Sequence, residues 1–376
     1  MLSALPPEAW AVALAALPAM GPARLSALLG RWPPPEAWAA VTSKAWLHEP
    51  GVCAAVRTAP GPLADAWCEA ARGVDVGAGW QQYVDARVGV ATVSSGAYPS
   101  ALAADIDPPP VVFFRGEPAA IAGPRVAIVG TRDATQYGLD VAYEFGRSLA
   151  ASGVAVISGL ALGIDGAAHA GALAVATAPP IAVVGSGLDV VYPRRHASLW
   201  RQVERSGVVV GEAPLGARPE PWRFPARNRI IAALADAVVV VESREHGGSM
   251  HTVAEAARRG RPVFAVPGPI RSAASAGTNR LLADGAAPAC DADEILIGLG
   301  LTAALDRLAA DPRPAPEPGH ATVLDAIGWQ PSSFEQLAVR VPIPLGELSL
   351  ALVRLQEAGW ITERGGWYER VAKAER

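Results

Sequence analysis

The hydrophobic pattern changes period along the chain. From Ala9 to Trp46 apolar residues recur every three or four positions, the spacing of amphipathic helices, with a tight break at Met20-Gly21-Pro22. The segment from Leu17 to Leu29 reads as a helical hairpin of helix-hairpin-helix (SAM-like) type in which Gly21 is expected to make the turn. Two uses of such a hairpin are open: its turn amides facing a phosphate, or plain packing of the two helices on their neighbours. A less regular helical pattern continues to about Arg72. A short strand-like piece, Gly89 to Val93, and the stiff DPPPVVFFRG, Asp107 to Gly116, lead into a different pattern.

From Arg125 six apolar runs alternate with helical stretches: VAIVG from Val126, VAVISG from Val154, IAVVG from Ile181, VVVGE from Val208, AVVVVE from Ala237 and PVFAVPG from Pro262. Uninterrupted apolar runs separated by helices belong to a parallel sheet covered on both faces, so the centre of the chain is a doubly wound, Rossmann-like α/β domain. A proline-rich stretch, Asp311 to Gly319, ends it as a stiff linker. Three short helices follow: Ala321 to Ile327, one opened by a capping box Ser333 to Gln336, and one from Leu345 to Ala358 stopped by Gly359. A hairpin turning at Gly365-Gly366 completes a winged helix. The expected boundaries are a helical domain over 1–75, a connecting segment over 76–120, the α/β domain over 121–300, the linker over 301–319 and the winged helix over 320–376.

Composition narrows the chemistry. Of 32 basic residues only Lys44 and Lys373 are lysines, leaving 30 arginines. The central domain therefore holds neither a Walker A lysine nor a Schiff-base lysine. The net charge of −4 means that any nucleic-acid site is a local patch. From Ala321 onward six bases face seven acids, so the winged helix is expected to contact protein rather than read DNA. Cys53, Cys68 and Cys290 have no paired spacing, which speaks against a disulfide framework and a zinc cluster; no metal or cofactor is expected. The N-terminal apolar stretch is broken by Pro18, Gly21 and Pro22 and follows no basic segment, so a cytoplasmic chain without a membrane span is expected.

In an open α/β sheet, ligands bind beyond the carboxyl ends of the strands. Here those ends carry Gly130-Thr131-Arg132, Ser158-Gly159, Gly185-Ser186-Gly187 and Gly247-Gly248-Ser249, the last leading into a helix. Small residues admit a ligand close to the backbone, and helix N-termini present free amides to anions. Arg132, Arg194, Arg195, Arg223, Arg227 and Arg229 fall in the same end loops. The stretch FPARNRII, Phe224 to Ile231, combines an aromatic platform with arginine forks, a composition suited to a single nucleic-acid strand. The alternative is a helix start, with Pro225 setting the entry, Asn228 bonding local backbone and the arginines solvated or paired with Glu212 or Glu220.

Other chemistries fit less well. A dinucleotide fingerprint needs G-x-G-x-x-G after the first strand, and GTRDATQYG has the wrong glycine spacing. Gly247 to Glu255, GGSMHTVAE, is loosely similar to the GGxGTxxE signature of lysine-decarboxylase-like phosphoribohydrolases, which would place Thr252 and Glu255 at a ribose. One extra residue displaces that spacing. Asp165 and His169, four apart after Gly163, share one helix face. They are read as pocket and framework residues, Asp165 capping the helix and His169 a buried hydrogen-bonding group.

Taken together, VAIVGTR, SGLALGIDGAAHAGAL (Ser158 to Leu173), VVGSGLDVVYPRRH (Val183 to His196), FPARNRIIA, VVVVES and RPVFAVPGPI through GTNRLLADGA (Gly277 to Ala286) closely resemble the DNA-processing protein A (DprA/Smf) family over residues 90–297. The resemblance implies a binding protein rather than an enzyme. It implies single-stranded DNA bound without strong sequence preference, loading of the RecA recombinase in natural transformation, and a homodimer through the α/β domain. By position, Arg132 and Arg194 would grip phosphate, and Phe224, Arg227, Asn228 and Arg229 match the family's FPxRNR pocket segment. The spacing of Arg227 and Arg229 suggests that one faces the strand while the other is held by an acid. Three departures stand out: Leu162 where arginine is usual, Gly248 for the first serine of an SGS loop, and His251 for an aliphatic.

Overall fold

The computed structural model describes residues 5–301, 313, 315–328 and 331–371. The chain forms two compact units, Met1–Leu308 and Ala309–Arg376. The linker expected over 301–319 lies mostly outside the described residues.

In the first unit, helices α1 (Pro7–Ala15), α2 (Pro22–Arg31), α3 (Pro34–Thr42), α4 (Pro50–Val56), α5 (Pro60–Arg72) and α6 (Val76–Asp85) precede the sheet. Proline opens the first five, where its missing amide proton is harmless and its fixed φ suits the first turn. The hairpin turns differently from the expectation. Ala19, not Gly21, takes the left-handed conformation (φ +55°), its carbonyl accepting from the Arg24 guanidinium at 2.5 Å, whereas Gly21 is extended.

The sheet has nine strands: β1 (Gly89–Thr92), β2 (Val111–Gly116), β3 (Arg125–Val129), β4 (Ala155–Ser158), β5 (Ile181–Val184), β6 (Val208–Gly211), β7 (Ala237–Val240), β8 (Val263–Ala265) and β9 (Ala287–Pro288), in the order β1-β2-β6-β5-β4-β3-β7-β8-β9. The six apolar runs form β3 to β8 and pair in parallel. Residues 76–120, expected to connect two domains, are part of this body: β2 pairs antiparallel with β6 and β1 with β2, so both extend the sheet. Between and after the strands come α7 (Ser100–Ala103), α8 (Gln136–Ala151), α9 (Ile164–Leu173), α10 (Ala197–Ser206), α11 (Arg223–Leu234), α12 (Ser249–Arg258), α13 (Ala276–Ala283) and α14 (Ala292–Gly298).

Strand alternation divides the core. Ala127, Val129, Ile157, Val183 and Val238 pack with Ile230, Ile231 and Leu234 of α11 on one face. Val126, Ile128, Val156 and Val239 meet Phe145, Leu149 and Ala168 of α8 and α9 on the other. The N-terminal helices share a third cluster with Phe113, Ala182, Val184, Trp200 and Val209, so they are built onto the sheet.

The second unit contains α15 (Pro318–Ile327), β10 (Ser332–Ser333), α16 (Phe334–Arg340), α17 (Leu345–Glu357), β11 (Ile361–Arg364) and β12 (Trp367–Arg370), the last two joined through Gly365 and Gly366, both at positive φ. The capping box between Ser333 and Gln336 forms as read. Among the described residues no single helix is long and apolar enough to cross a membrane.

Candidate nucleic-acid interface

Strands β3 and β7 lie side by side, but the chain leaves β3 toward β4 and β7 toward β8, so their carboxyl ends flank the point where strand order reverses. The Thr131 amide donates to the Glu242 carbonyl at 2.8 Å, fastening the Gly130-Thr131-Arg132 loop to the end of β7. The buried Glu242 carboxylate accepts from the Thr135 amide (2.9 Å) and hydroxyl (2.6 Å) and so anchors the start of α8. Between β4 and α9, Gly163 adopts φ +76°, and a Cβ there would stand 2.4 Å from the Thr131 carbonyl. Only glycine lets this loop close against the Arg132 loop.

On the solvent side three loops converge. The Arg132 guanidinium lies over the Phe224 ring, 4.9 Å from its centroid, and the Phe224 and Tyr192 rings are 5.5 Å apart, tilted by 38°. Arg194 and Arg195 follow Tyr192 after Pro193, exposed and without an ion-pair or hydrogen-bond partner among the described residues. Two aromatic faces and the Arg132 guanidinium thus share one cleft, and the exposed Arg194 and Arg195 continue the chain just beyond it. Rings offer stacking platforms to bases and guanidiniums grip phosphates, both independently of sequence. Tyr192 was not singled out from sequence, although it stands in the same VVYPRRH run; only its ring contact with Phe224 brings it forward.

Beneath the cleft lies a buried polar layer. Helix α11 begins at Arg223, so Pro225 falls within its first turn and Arg227 in its second, where the side chain points inward with 5% exposure. Its guanidinium donates to the Val183 carbonyl and stands 3.9 Å from the Asp165 carboxylate. Burial pushes Arg227 down to about 10 despite Asp165, with Arg132 adding to the fall; burial likewise pushes the Asp165 carboxyl above the usual range, against the pull of Arg227. Asp165 is not the N-cap of α9, which is Gly163; it turns back to accept the Gly159 amide at 3.1 Å. A Cβ on Gly159 would overlap the Arg227 guanidinium at 1.9 Å, so glycine makes room for the arginine. The Ser158 hydroxyl is turned inward and donates to the Ile128 carbonyl at 2.6 Å.

Arg229 points elsewhere. Its guanidinium pairs with Glu212 and with Asp107 (3.3 Å), as the helix-start alternative had it for Glu212. Burial raises the Glu212 carboxyl although Arg229 opposes the shift. The two arginines diverge and one is held by acids, as their spacing suggested, but the other is enclosed beside an acid as well. Asn228 donates to the Gly248 carbonyl at 3.5 Å, reaching the next loop rather than local backbone, and the Ser249 hydroxyl is buried against that of Ser243 at 2.8 Å. Gly248 itself is exposed. A cavity of about 530 Å³ opens beside the cleft, between Met20-Gly21 of the N-terminal hairpin and Gly185, Glu212, Trp222 and Arg223.

His169 is fully enclosed with the Ser158 backbone beside it, and neither ring nitrogen makes a well-formed hydrogen bond among the described residues. Burial lowers it from its ordinary 6.5 to about 3, with the Ser158 backbone opposing and Arg227 and His196 adding to the fall. The folded state thus excludes a proton that the unfolded chain takes up below about pH 6.5, so stability is complete above that value and is lost as pH falls toward 3. Between pH 7 and pH 5 this group should remove roughly 2 kcal/mol. Urea midpoints at the two pH values, compared between the natural chain and His169→Leu, check this: the variant should lose distinctly less, and an equal loss would assign the acid sensitivity elsewhere.

Residues 89–300 match the family model described as DNA recombination-mediator protein A, and residues 307–366 match that of the DprA winged helix domain. The chain is 38% identical over 289 residues to protein Smf of Escherichia coli, covering 74% of this chain and 76% of that protein. It is 35% identical over 214 residues to DNA processing protein DprA of Bacillus subtilis, covering 57% and 72%. Among solved structures it is similar to DNA processing protein A from Streptococcus pneumoniae, with a TM-score of 0.64, 27% identity and coverage of 77% of this chain and 96% of that one. It is also similar to DNA processing protein A from Helicobacter pylori, a structure described for its single-stranded DNA binding mode, with a TM-score of 0.51, 30% identity and coverage of 56% and 95%.

Proposed function

The chain belongs to the DNA recombination-mediator protein A family, and from that premise we propose that it binds single-stranded DNA at the carboxyl edge of its sheet and hands it to a RecA-type recombinase. The observation that carries the binding step is the cleft in which Arg132 covers Phe224 and Phe224 meets Tyr192, with Arg194 and Arg195 exposed just beyond it. In this reading Arg132, Arg194 and Arg195 hold phosphates and the two rings stack bases. The Gly130, Thr131 and Gly248 loops form the rim. Ser158, Gly159, Gly163, Asp165, His169, Arg227, Asn228, Arg229 and Ser249 shape the floor. Recombinase transfer and a homodimer through the α/β domain rest on the family resemblance. The winged helix exposes Leu350 and Val353 on α17, an apolar face that suits a protein partner better than DNA.

A nucleotide hydrolase on the same cradle would need Glu255 free to reach a ribose. Burial raises that carboxyl, but hydrogen bonds from Arg259 (2.5 Å) and Arg258 (3.0 Å) outweigh it and leave it below the usual range, held as an ion pair. Thr252 is buried. Salt-titrated binding of single-stranded DNA, duplex and free nucleoside monophosphates tests the choice. Single strands should bind tightest, with log affinity falling linearly in log salt, and the nucleotides should not turn over. Preferential duplex binding, or nucleotide hydrolysis lost in Glu255→Ala, would overturn the proposal.

A further inference from the structure

Positive charge does not end at the cleft. The turn Arg194–His196 runs directly into α10, which buries Trp200 and Val203 against the sheet and exposes Ser198, Arg201, Gln202 and Arg205. Arg201 and Arg205 are four apart and so share one face of the helix. Like Arg194 and Arg195, neither has an ion-pair or hydrogen-bond partner among the described residues. The one acid of this helix, Glu204, faces Arg115 at 3.7 Å, and Asp189 in the preceding loop accepts the Gly216 amide. Elsewhere on the same body Arg244, Arg258 and Arg280 stand against carboxylates (Asp133, Glu255 and Asp284), while Arg57, Arg87, Arg218 and Arg271 are exposed singly; among the described residues, only on α10 do two unpaired arginines share a helix face that continues from Arg194 and Arg195. Arg205, in the last turn, suits the helix dipole, but Arg201 lies mid-helix where the dipole gives it no role. At the helical rise, Arg194 to Arg205 spans about 16 Å, the length of several phosphates.

We propose that α10 is an outlying phosphate track of the strand site: a single strand leaving the Tyr192–Phe224 cleft past Arg194 and Arg195 lays its backbone along Arg201 and Arg205. No aromatic side chain is exposed on this helix, so the track holds phosphates only and is indifferent to base. The inference rests on the cleft being the strand site, and its test separates the two.

The full-length double variant Arg201→Ala/Arg205→Ala is compared with the natural chain by fluorescence anisotropy on oligo-dT of about 6 and about 20 nucleotides, within the range of single-strand site sizes. Both side chains are on the surface, so melting should be unchanged. On the longer strand the log–log salt slope should fall by roughly 1.4, about 0.7 per lost phosphate contact, while binding of the short strand stays as it was. An unchanged slope on the longer strand, with Arg132→Ala still weakening both lengths, overturns the track and leaves the cleft standing. Equal loss on both lengths also overturns it, because the arginines would then belong to the cleft itself. Unchanged DNA binding with loss of polyglutamate binding would make the stripe a protein-docking face instead. Failure of the natural chain to bind either strand overturns cleft and track together.

Discussion

Arg227→Ala should lower folding stability by about 3–5 kcal/mol, the range for removing one member of a buried ion pair. The arginine is 5% exposed, its guanidinium fills the space left by Gly159, and its loss leaves Asp165 enclosed without a cationic partner. The sign of the pH dependence follows from Asp165. Burial already raises its carboxyl, and without Arg227 it rises further. A carboxyl raised in the folded state favours folding while protonated, so the variant's deficit should be largest at neutral pH and shrink as pH falls toward the ordinary carboxylate range. Adding Asp165→Asn should restore part of the loss. Urea denaturation of the three variants at several pH values reads this directly. A stable Arg227→Ala protein with impaired DNA binding would place the arginine at the strand instead of beneath it.

The second large effect is on binding. Arg132 is exposed, its guanidinium rests on the face of Phe224, and among the described residues no hydrogen bond or ion pair holds it, so Arg132→Ala should fold normally, within about 0.5 kcal/mol. A charged hydrogen bond to phosphate contributes about 1.5–3 kcal/mol, so affinity for a single strand should fall roughly tenfold to a hundredfold. The salt slope should drop by about 0.7, one released counterion fewer. Phe224→Ala provides the contrast: losing a stacking platform removes about 1–3 kcal/mol per base without changing the slope. Anisotropy titrations across salt concentrations distinguish the two. If Arg132→Ala kept both the affinity and the slope of the natural chain, the cleft would not be the phosphate site.

These two arginines show what was legible in the chain. Both stand among small and polar residues in the segments that follow parallel strands, and nothing in their neighbours shows which one is buried. Arg132 follows a strand directly and stays at the surface. Arg227 lies one turn into α11, and its partners are 62 and 44 residues away in sequence, Asp165 and the Val183 carbonyl. The same holds for Arg229, whose acids Glu212 and Asp107 come from the end of β6 and the segment before β2.

Local pattern was enough for the six parallel strands, the capping box at Ser333 and the Gly365-Gly366 hairpin, because each depends on periodicity or on a turn residue within a few positions. It also pointed to the carboxyl edge of the sheet as the place for a ligand, since parallel strands with small residues at their carboxyl ends leave few others. Local pattern could not show that β1 and β2 join the sheet, because antiparallel pairing to β6 is a long-range choice made by docking. Nor could it show which arginines face solvent. That depends on how α11 is rotated against the sheet and on carboxylates brought from distant segments, and burial of a charge is decided by the partners that the whole fold assembles around it.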